Sequence, residues 1–498
     1  MTRAFQLALL AHALFFLALA GQLRAWSMAI VIAIAIVVVM RRVTFTPRAW
    51  LALLFLPVLV LALYPPLAFD ETLYHLPYVR ALATSGELRF LRDVRFGAFP
   101  QLHELLCVPL FAFVGDTATH LVALLEVLLT AGVLFEWGRR YDERAGWLAS
   151  ALFLGSPIVI HLGTITYADA ALTLFVTAGF AALDRARDDS RPWLALSGFL
   201  LGTACSVKYL GFFFAAAAFV VVALLFRERL RALATFALAT LAAALPMTLW
   251  LFATTGNPVF PFLPSVFGTT AWSFSQPRAA FSLRVLWDVT FARERVNSQP
   301  PFTPLFLAMV VIVLVAAWHS VAARCVAMIV AAYLVAFSFL PQDSRYLVPL
   351  LPLLGIVAAV TVARRWLRAV PALAMLAIAP GIAYALYRIA ILGIPPTTAA
   401  QREAWLTQRV PEYAALMRAG NASVYVYGAE RLKYYARGEL LGDVIGPYSH
   451  DRVRRIDTEY LLVAKSAKPA PRIDGNFVLV YEDAAAQLWR QDKSPHAR

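Results

Sequence analysis

Charged residues are scarce in this sequence, and their scarcity excludes most classes of soluble protein. Of the 498 residues, 15% are charged and 61% are hydrophobic, whereas a soluble domain carries about 25% charged residues. A disordered or fibrous chain is also excluded, because aromatic residues make up 13% of the sequence and no short repeat recurs. The long unbroken apolar runs predict a polytopic α-helical membrane protein, since a membrane β-barrel shows short alternating segments instead.

Cysteine and the common motifs of soluble enzymes are also missing or rare. The three cysteines lie far apart with no CxxC pair, which argues against a disulfide framework or a zinc site. The sequence has no Walker loop, no strand-to-helix GxGxxG, no GxSxG and no HExxH, which argues against a nucleotide-driven pump. The net charge of +14 comes without the basic, aromatic-studded soluble face that a nucleic-acid partner requires. We therefore expect no nucleic-acid partner.

The apolar runs predict 13 membrane spans, since a helix needs roughly 20 apolar residues to cross the bilayer. The predicted spans are residues 4–21, 25–40, 49–66, 119–137, 146–162, 168–183, 193–206, 209–226, 232–252, 304–319, 323–340, 346–363 and 370–390.

Arginine clusters between these spans alternate with sparsely charged loops and so predict the orientation. Clusters of three begin at Arg41, Arg139, Arg185, Arg227 and Arg364. The short loops on the other side carry only Arg24, Lys208 and Arg345. The positive-inside rule places the clusters and the N-terminus in the cytoplasm. With an odd number of spans the C-terminus lies outside, in the periplasm of a bacterial inner membrane.

The chain divides into two predicted domains. Residues 1–393 form a transmembrane core with outer loops at 67–118 and 253–303. Residues 394–498 form a small soluble α/β domain, because charged residues mix there with short β-like runs. The predicted strands are Ser423–Tyr427, Tyr460–Ala464 and Phe477–Tyr481, and an amphipathic stretch runs through Gln401–Arg418. Two stretches of the first outer loop, 73–85 and 101–114, predict interfacial helices that lie along the membrane.

Two adjacent carboxylates stand where the third span emerges. Asp70 and Glu71 follow 21 uncharged residues, Ala49–Phe69. Such a pair either marks a helix end or supplies a general base or metal ligand, with the second acid orienting the first. Adjacent acids raise one another's pKa, which suits a base. Four nearby polar side chains are candidates for substrate binding: Tyr74, His75, His103 and Glu104.

Isolated charges at the outer ends of other spans extend the candidate site. Asp169 is either a helix N-cap or a further carboxylate of the same cavity. Lys208 is the sole lysine in the first 432 residues, and it either snorkels or binds phosphate. Arg345, next to Tyr346, either pairs with Asp343 or holds a phosphate through its planar guanidinium.

These features together resemble the polytopic GT-C glycosyltransferases, which include the protein O-mannosyltransferases and the transferases that place aminoarabinose on lipid A. The resemblance is carried by Phe69–His75, Phe99–Glu104, Tyr167–Asp169, Lys208–Tyr209, Thr255–Phe262 and Arg345–Pro352. It implies a GT-C transmembrane core, a variable periplasmic C-terminal module and a polyprenyl-phosphate-linked sugar donor. It also implies a catalytic acid in the first large outer loop, here Asp70 or Glu71. One departure is that this loop follows the third predicted span and not the first.

The resulting hypothesis is an inverting membrane glycosyltransferase that acts on a lipid, glycan or protein hydroxyl. Asp70 would be the general base, with Glu71 or Asp169 orienting it. Lys208 and Arg345, with Tyr346, would hold the donor phosphate. The outer carboxylates could also supply oxygen ligands to a divalent metal ion. The alternatives are a flippase for a lipid-linked sugar and an O-antigen ligase or polymerase that uses diphosphate-linked donors.

The segment Val426–Tyr435 predicts a strand, a turn at glycine and a helix. Its aromatic residues, with Arg431 and Lys433, either contact a sugar or its phosphate or pack the domain onto the membrane core.

Overall fold

The fold was analysed in a computed structural model. It describes residues 1–40, 55–226, 228–268, 281–297, 300–442, 458–468, 471, 473 and 476–492, with the backbone alone at 35–40 and 188–190. Residues 49–54 of the predicted span 49–66 lie outside the described residues. Arg41 and Arg227 of the predicted cytoplasmic clusters lie outside them as well.

The membrane core is a bundle of helices that follow the predicted apolar runs. In chain order they are α1 (Thr2–Leu19), α2 (Ala25–Met40), α3 (Leu56–Leu61), α4 (Leu76–Ser85), α5 (Leu102–Phe113), α6 (Thr119–Gly138), α7 (Glu143–Leu154), α8 (Pro157–Leu162), α9 (Asp169–Val207), α10 (Leu210–Leu225), α11 (Arg229–Thr255), α12 (Pro264–Phe267), α13 (Val285–Phe291), α14 (Leu305–Ala317), α15 (Val321–Phe337), α16 (Leu350–Arg365) and α17 (Val370–Leu392). Four helical segments among the described residues are both long and apolar enough to cross a membrane: Thr2–Leu19, Asp116–Gly138, Arg229–Thr255 and Leu367–Leu392.

The helix α9 folds back on itself. A straight helix of 39 residues would be about 58 Å long, yet Asp169 at its start forms an ion pair with Lys208 just after its end, with 2.7 Å between Oδ1 and Nζ. The Arg185 guanidinium also lies 4.1 Å from the centre of the Trp193 ring. The chain therefore reverses between Arg185 and Trp193, and its two halves correspond to the separate predicted spans 168–183 and 193–206.

Two other predicted elements differ from the structure. The span predicted at 146–162 is broken into α7 and α8, because the chain bends at Gly155 and Ser156. The helix predicted at 101–114 to lie along the membrane is instead enclosed, since every residue from Leu102 to Pro109 is buried. Hydropathy alone predicted a half-exposed helix there, whereas α5 packs against α1, α4, α6 and α9.

The C-terminal region carries two short helices and a mixed sheet. The helices are α18 (Ala399–Arg409) and α19 (Tyr413–Ala419), and the strands are β1 (Val424–Tyr427), β2 (Leu440–Gly442), β3 (Tyr460–Ala464), β4 (Phe477–Glu482) and β5 (Ala486–Gln491). The strand order is β2-β1-β3-β5-β4. β1 runs parallel to β2 and β3, and β5 runs antiparallel to β3 and β4. The sequence analysis missed β2 and β5.

The segment Val426–Tyr435 packs this region onto the first outer loop. The Tyr434 amide donates to the Thr72 carbonyl at 2.9 Å, and Lys433 pairs with Asp93 at 2.6 Å. Arg431 pairs with Glu412 of its own region at 2.8 Å. Both basic side chains of the segment are therefore engaged in packing, which is the second of the two roles predicted for them.

Candidate active site

The candidate site begins at a widened helical turn. After α3 the consecutive prolines Pro65 and Pro66 interrupt the helix, because proline lacks an amide donor. The chain then enters a π-helical turn, Glu71–His75, that leads directly into α4. All five residues of the turn are buried. Such turns occur frequently at functional sites, and this one carries Asp70 at its start.

Asp70 is held by three neighbours, of which Arg345 and Tyr74 contact its carboxylate. Its Oδ2 accepts hydrogen bonds from Arg345 Nη2 at 2.5 Å and from the Tyr74 hydroxyl at 3.0 Å. Its backbone amide donates to the Tyr167 hydroxyl at 2.9 Å. Burial raises the pKa of the Asp70 carboxyl. The Arg345 guanidinium and the hydrogen bonds lower this pKa by more than burial raises it, so the pKa lies below its ordinary value. Asp70 is therefore ionised at neutral pH.

Glu71 points away from Asp70 and braces the turn. Its Oε1 accepts from the Thr166 amide and lies near His120 Nε2, each at 2.7 Å. Its Oε2 accepts from the amides of Leu67 and Ala68 at 3.1 and 3.2 Å. The two acids therefore do different things: Glu71 ties the turn to α6 and to the loop before α9, and it makes no contact with the Asp70 carboxylate.

Arg345 joins two carboxylates beside the cavity. Asp343 caps the short turn Ser344–Leu347 by accepting from the Arg345 amide at 3.1 Å. The Arg345 guanidinium lies 3.1 Å from Asp343 as well as 2.5 Å from Asp70. It also faces the rings of Tyr167 and Tyr346, at 4.8 and 5.2 Å. Arg345 is therefore both a partner of Asp343, as one prediction had it, and a neighbour of the candidate base.

Asp169 and Lys208 form a second ion pair behind Tyr346. Their 2.7 Å contact joins the two ends of α9, and Lys208 lies 4.7 Å from the centre of the Tyr346 ring. Asp169 makes no N-cap hydrogen bond, so the predicted capping role is not seen. Its Oδ2 is buried without a hydrogen-bond partner. The pair thus lies one aromatic ring away from Arg345.

A cavity of about 330 Å³ opens beside Asp70 and Arg345. Its remaining lining residues are Phe69, Ile158, His161, Leu162, Tyr167, Asn297 and Asp343. Asp70 and Arg345 are the predicted site residues that line it. The sequence analysis did not assign roles to Tyr167, His161, Asn297 or Asp343. Two of these had a usable signal, because Tyr167 and Asp343 lie in the short motifs around Asp169 and Arg345.

Comparison with known proteins identifies the fold of this site. Residues 105–252 match the family model of dolichyl-phosphate-mannose-protein mannosyltransferases. An uncharacterised protein of Shigella flexneri is 30% identical over 136 residues, which are 26% of this chain and 67% of that protein. The crystal structure of ArnT from Cupriavidus metallidurans, bound to undecaprenyl phosphate, aligns with a TM-score of 0.62 at 15% identity, over 89% of this chain and 98% of that chain. The chain therefore has an ArnT-like GT-C fold.

A second GT-C protein shares the fold more distantly. The oligosaccharyltransferase of Archaeoglobus fulgidus, crystallised with zinc and sulfate, aligns with a TM-score of 0.52 at 13% identity. The alignment covers 82% of this chain and 67% of that chain.

Two buried histidine–glutamate pairs lie in the helical bundle near the candidate site. His75 Nδ1 is 2.5 Å from Glu104 Oε1, and His103 Nδ1 is 3.0 Å from Glu126 Oε1. All four side chains are at most 4% exposed. The sequence analysis predicted that His75, His103 and Glu104 bind substrate; in the structure each of them contacts a buried partner side chain.

The first of these pairs supports the residues that hold Asp70. The His75 ring lies 4.3 Å from the Tyr74 ring and 5.4 Å from the Tyr167 ring, measured between centres. Both tyrosines hydrogen-bond to Asp70. Tyr74, also predicted as a substrate ligand, is buried and directed at the Asp70 carboxylate.

The described residues contain no group of three or more His, Cys, Asp or Glu side chains arranged to hold a metal ion. Asp70 Oδ2 accepts from Arg345 and Tyr74, whereas Glu71 Oε1 accepts from Thr166 and contacts His120. The two carboxylates serve different partners, so they do not fit the divalent ion that the sequence analysis considered.

Proposed function

We propose that this protein transfers a sugar from a polyprenyl-phosphate donor to an acceptor hydroxyl on the extracytoplasmic side of the inner membrane, with inversion at the anomeric carbon. The observation that carries the proposal is an ionised carboxylate, Asp70, that lines a cavity beside the Arg345 guanidinium. Two structural neighbours support a lipid-phosphate donor: one is bound to undecaprenyl phosphate, and the archaeal AglB is in complex with an inhibitory peptide and a dolichol phosphate.

Asp70 would act as the general base. It takes the proton of the acceptor hydroxyl while that oxygen attacks the anomeric carbon from the face opposite the lipid phosphate. The bond between the anomeric carbon and the phosphate oxygen breaks, and its electron pair leaves with the phosphate. Only the acceptor needs strong activation, because lipid phosphate is already a good leaving group.

Arg345 would have two roles in this reaction. Its charge keeps Asp70 ionised, and its remaining N–H groups can bind the phosphate as negative charge develops there. Lys208 stands behind Tyr346 and adds a second positive charge. Lys208 is paired with Asp169 and Arg345 with Asp70. To bind phosphate, each cation must therefore contact the phosphate and its carboxylate partner at the same time.

The test compares Asp70→Asn with Glu87→Gln, an exposed acid of the same loop that does not line the cavity. The measurement is the release of polyprenyl phosphate from a panel of synthetic lipid-phosphate sugars by the purified proteins. We expect Asp70→Asn to slow release by about 10²- to 10⁴-fold and Glu87→Gln to leave it unchanged. Near-normal release by folded Asp70→Asn would remove Asp70 as the base.

The same preparation separates the alternatives. When diphosphate-linked donors are supplied instead, release of a lipid diphosphate would identify a ligase or polymerase. Translocation of the lipid-linked sugar across vesicles without product would identify a flippase.

A further inference from the structure

A second cavity adjoins the first and is about 280 Å³ in volume. Three of its lining residues, Phe69, His161 and Tyr167, also line the cavity of Asp70. The two spaces therefore border on the same side chains. Taken together, they lie well within the range of ligand pockets, about 300–1,000 Å³.

Arg388 lines the second cavity and is unpaired. It lies in the last turns of α17, and it forms no ion pair or hydrogen bond with any residue that the structure describes. Two other cations near Asp70 are paired: Arg345, which lines the first cavity, is paired with Asp70 and Asp343, and Lys208 is paired with Asp169. Glu71 also lines the second cavity, but its carboxylate already accepts hydrogen bonds from the amides of Thr166, Leu67 and Ala68.

The second cavity also has polar side chains beside Arg388. Tyr64 and Tyr384 line it with Arg388. The Tyr384 hydroxyl lies 3.4 Å from His161 Nδ1, and the Tyr64 hydroxyl donates to the Gly393 carbonyl. An arginine at the end of a span usually reaches out to lipid headgroups, but this side chain lines a cavity together with polar groups. A guanidinium without a counter-ion in such a place is a site for phosphate or carboxylate.

We propose that Arg388 binds an anionic group, a phosphate or a carboxylate, carried by the acceptor. This assignment rests on the proposed function. With the anion held at Arg388, an acceptor hydroxyl can extend past Phe69 and Tyr167 to Asp70, while the donor phosphate is held on the other side at Arg345. The protein thus uses one unpaired cation for the acceptor and the carboxylate-paired cations for the donor.

The experiment measures binding to the purified full-length protein in detergent, without turnover. The probes are undecaprenyl phosphate, which reports the donor site, and inorganic phosphate added after undecaprenyl phosphate has saturated that site. The variants are Arg388→Gln, Arg388→Lys and the control Arg409→Gln, whose guanidinium donates to the Ile391 carbonyl at 2.7 Å and does not line the cavity.

We expect Arg388→Gln to weaken the binding of inorganic phosphate by about 10- to 100-fold, as the loss of a charge-assisted contact predicts. Arg388→Lys should bind with intermediate affinity, and Arg409→Gln and the affinity for undecaprenyl phosphate should be unchanged. If Arg388→Gln weakens undecaprenyl phosphate instead, the anion belongs to the donor and the acceptor assignment is overturned. Unchanged affinity for both probes would also overturn it and leave Arg388 as a headgroup contact.

The outcome can be separated from that of the proposed function. If the protein binds phosphate at Arg388 but transfers no sugar, the anion site is supported and the proposed transferase function is rejected. Transfer that depends on Asp70 without any effect of Arg388 would do the reverse.

Discussion

Two buried pairs in this bundle, His75 with Glu104 and His103 with Glu126, are chemically alike. In each, a glutamate Oε1 lies within hydrogen-bond distance of a histidine Nδ1, and the second glutamate oxygen is buried without a partner. They differ in what the histidine touches. His75 of the first pair packs against both tyrosines that hold Asp70, whereas His103 of the second pair contacts Cys107. Comparing the two pairs therefore separates the effect of contact with the tyrosines around Asp70 from the effect of losing a buried glutamate.

Glu104→Gln and Glu126→Gln provide that comparison. We expect Glu104→Gln to lower kcat by about 10- to 100-fold with little change in the KM for the donor, because a small misplacement of a catalytic group costs that much. Glu126→Gln removes an equally buried carboxylate, so we expect it to lower thermal stability to a similar extent but to keep kcat. The measurements are steady-state kinetics and the midpoint of thermal unfolding. Equal losses of kcat in both variants would show that Glu104 has a purely structural role.

For individual residues, the sequence indicated which charged side chains belong to the candidate site but not which residues they contact. Asp70, Lys208 and Arg345 stand out because isolated charges at the ends of apolar runs are rare and costly. Their contacts reach across the chain: Asp70 meets Tyr167, 97 residues away, and Arg345, 275 residues away. A single sequence carries no signal for such contacts. For the same reason the partner of Glu71, His120, could not be predicted.

At the scale of the element, hydropathy predicts where helices lie but not where they bend. The break between α7 and α8 falls at Gly155, inside one continuous apolar run. A Cβ placed on Gly155 would lie 1.7 Å from the Ala377 carbonyl oxygen of α17, and one on Gly381 would lie 2.3 Å from the Leu154 carbonyl oxygen. The two helices thus approach with glycine on both sides, as small residues permit in membrane bundles. This contact is invisible in the apolar pattern, whereas Pro157 at the start of α8 is a helix breaker that the sequence shows.

Gly155→Ala should therefore destabilise the bundle. The obstacle is a backbone carbonyl that cannot rotate away, so we expect overpacking to cost about 1–3 kcal/mol. The control is Gly132→Ala in α6, where a Cβ would meet no atom within 4 Å; it should be neutral or slightly stabilising, because alanine favours helix. Thermal unfolding of both proteins in detergent gives the comparison. A Gly155→Ala protein as stable as the Gly132→Ala protein would show that α7 and α17 pack less closely than this.

For the whole molecule, the contacts between the C-terminal region and the first outer loop constrain the topology. Lys433 pairs with Asp93, Arg402 pairs with Asp116, and the Tyr434 amide bonds to Thr72. Chains on opposite faces of a bilayer could not make these contacts, so the C-terminal region and Asp70 lie on the same side. Which side that is depends on charge, and the positive-inside rule places Arg364, Arg365 and Arg368 in the cytoplasm.

Only α17 separates that arginine cluster from the C-terminal region, so a pair of fusions decides the orientation. We expect a reporter that is active only outside the cytoplasm to be active after Arg498 and silent after Arg368. A reporter that is active only in the cytoplasm, fused at the same two points, should give the reciprocal result and so control for expression. The opposite pattern in both reporters would invert the topology. Asp70 would then face the cytoplasm with the sheet region packed beside it, and the acceptor would have to be a cytoplasmic hydroxyl.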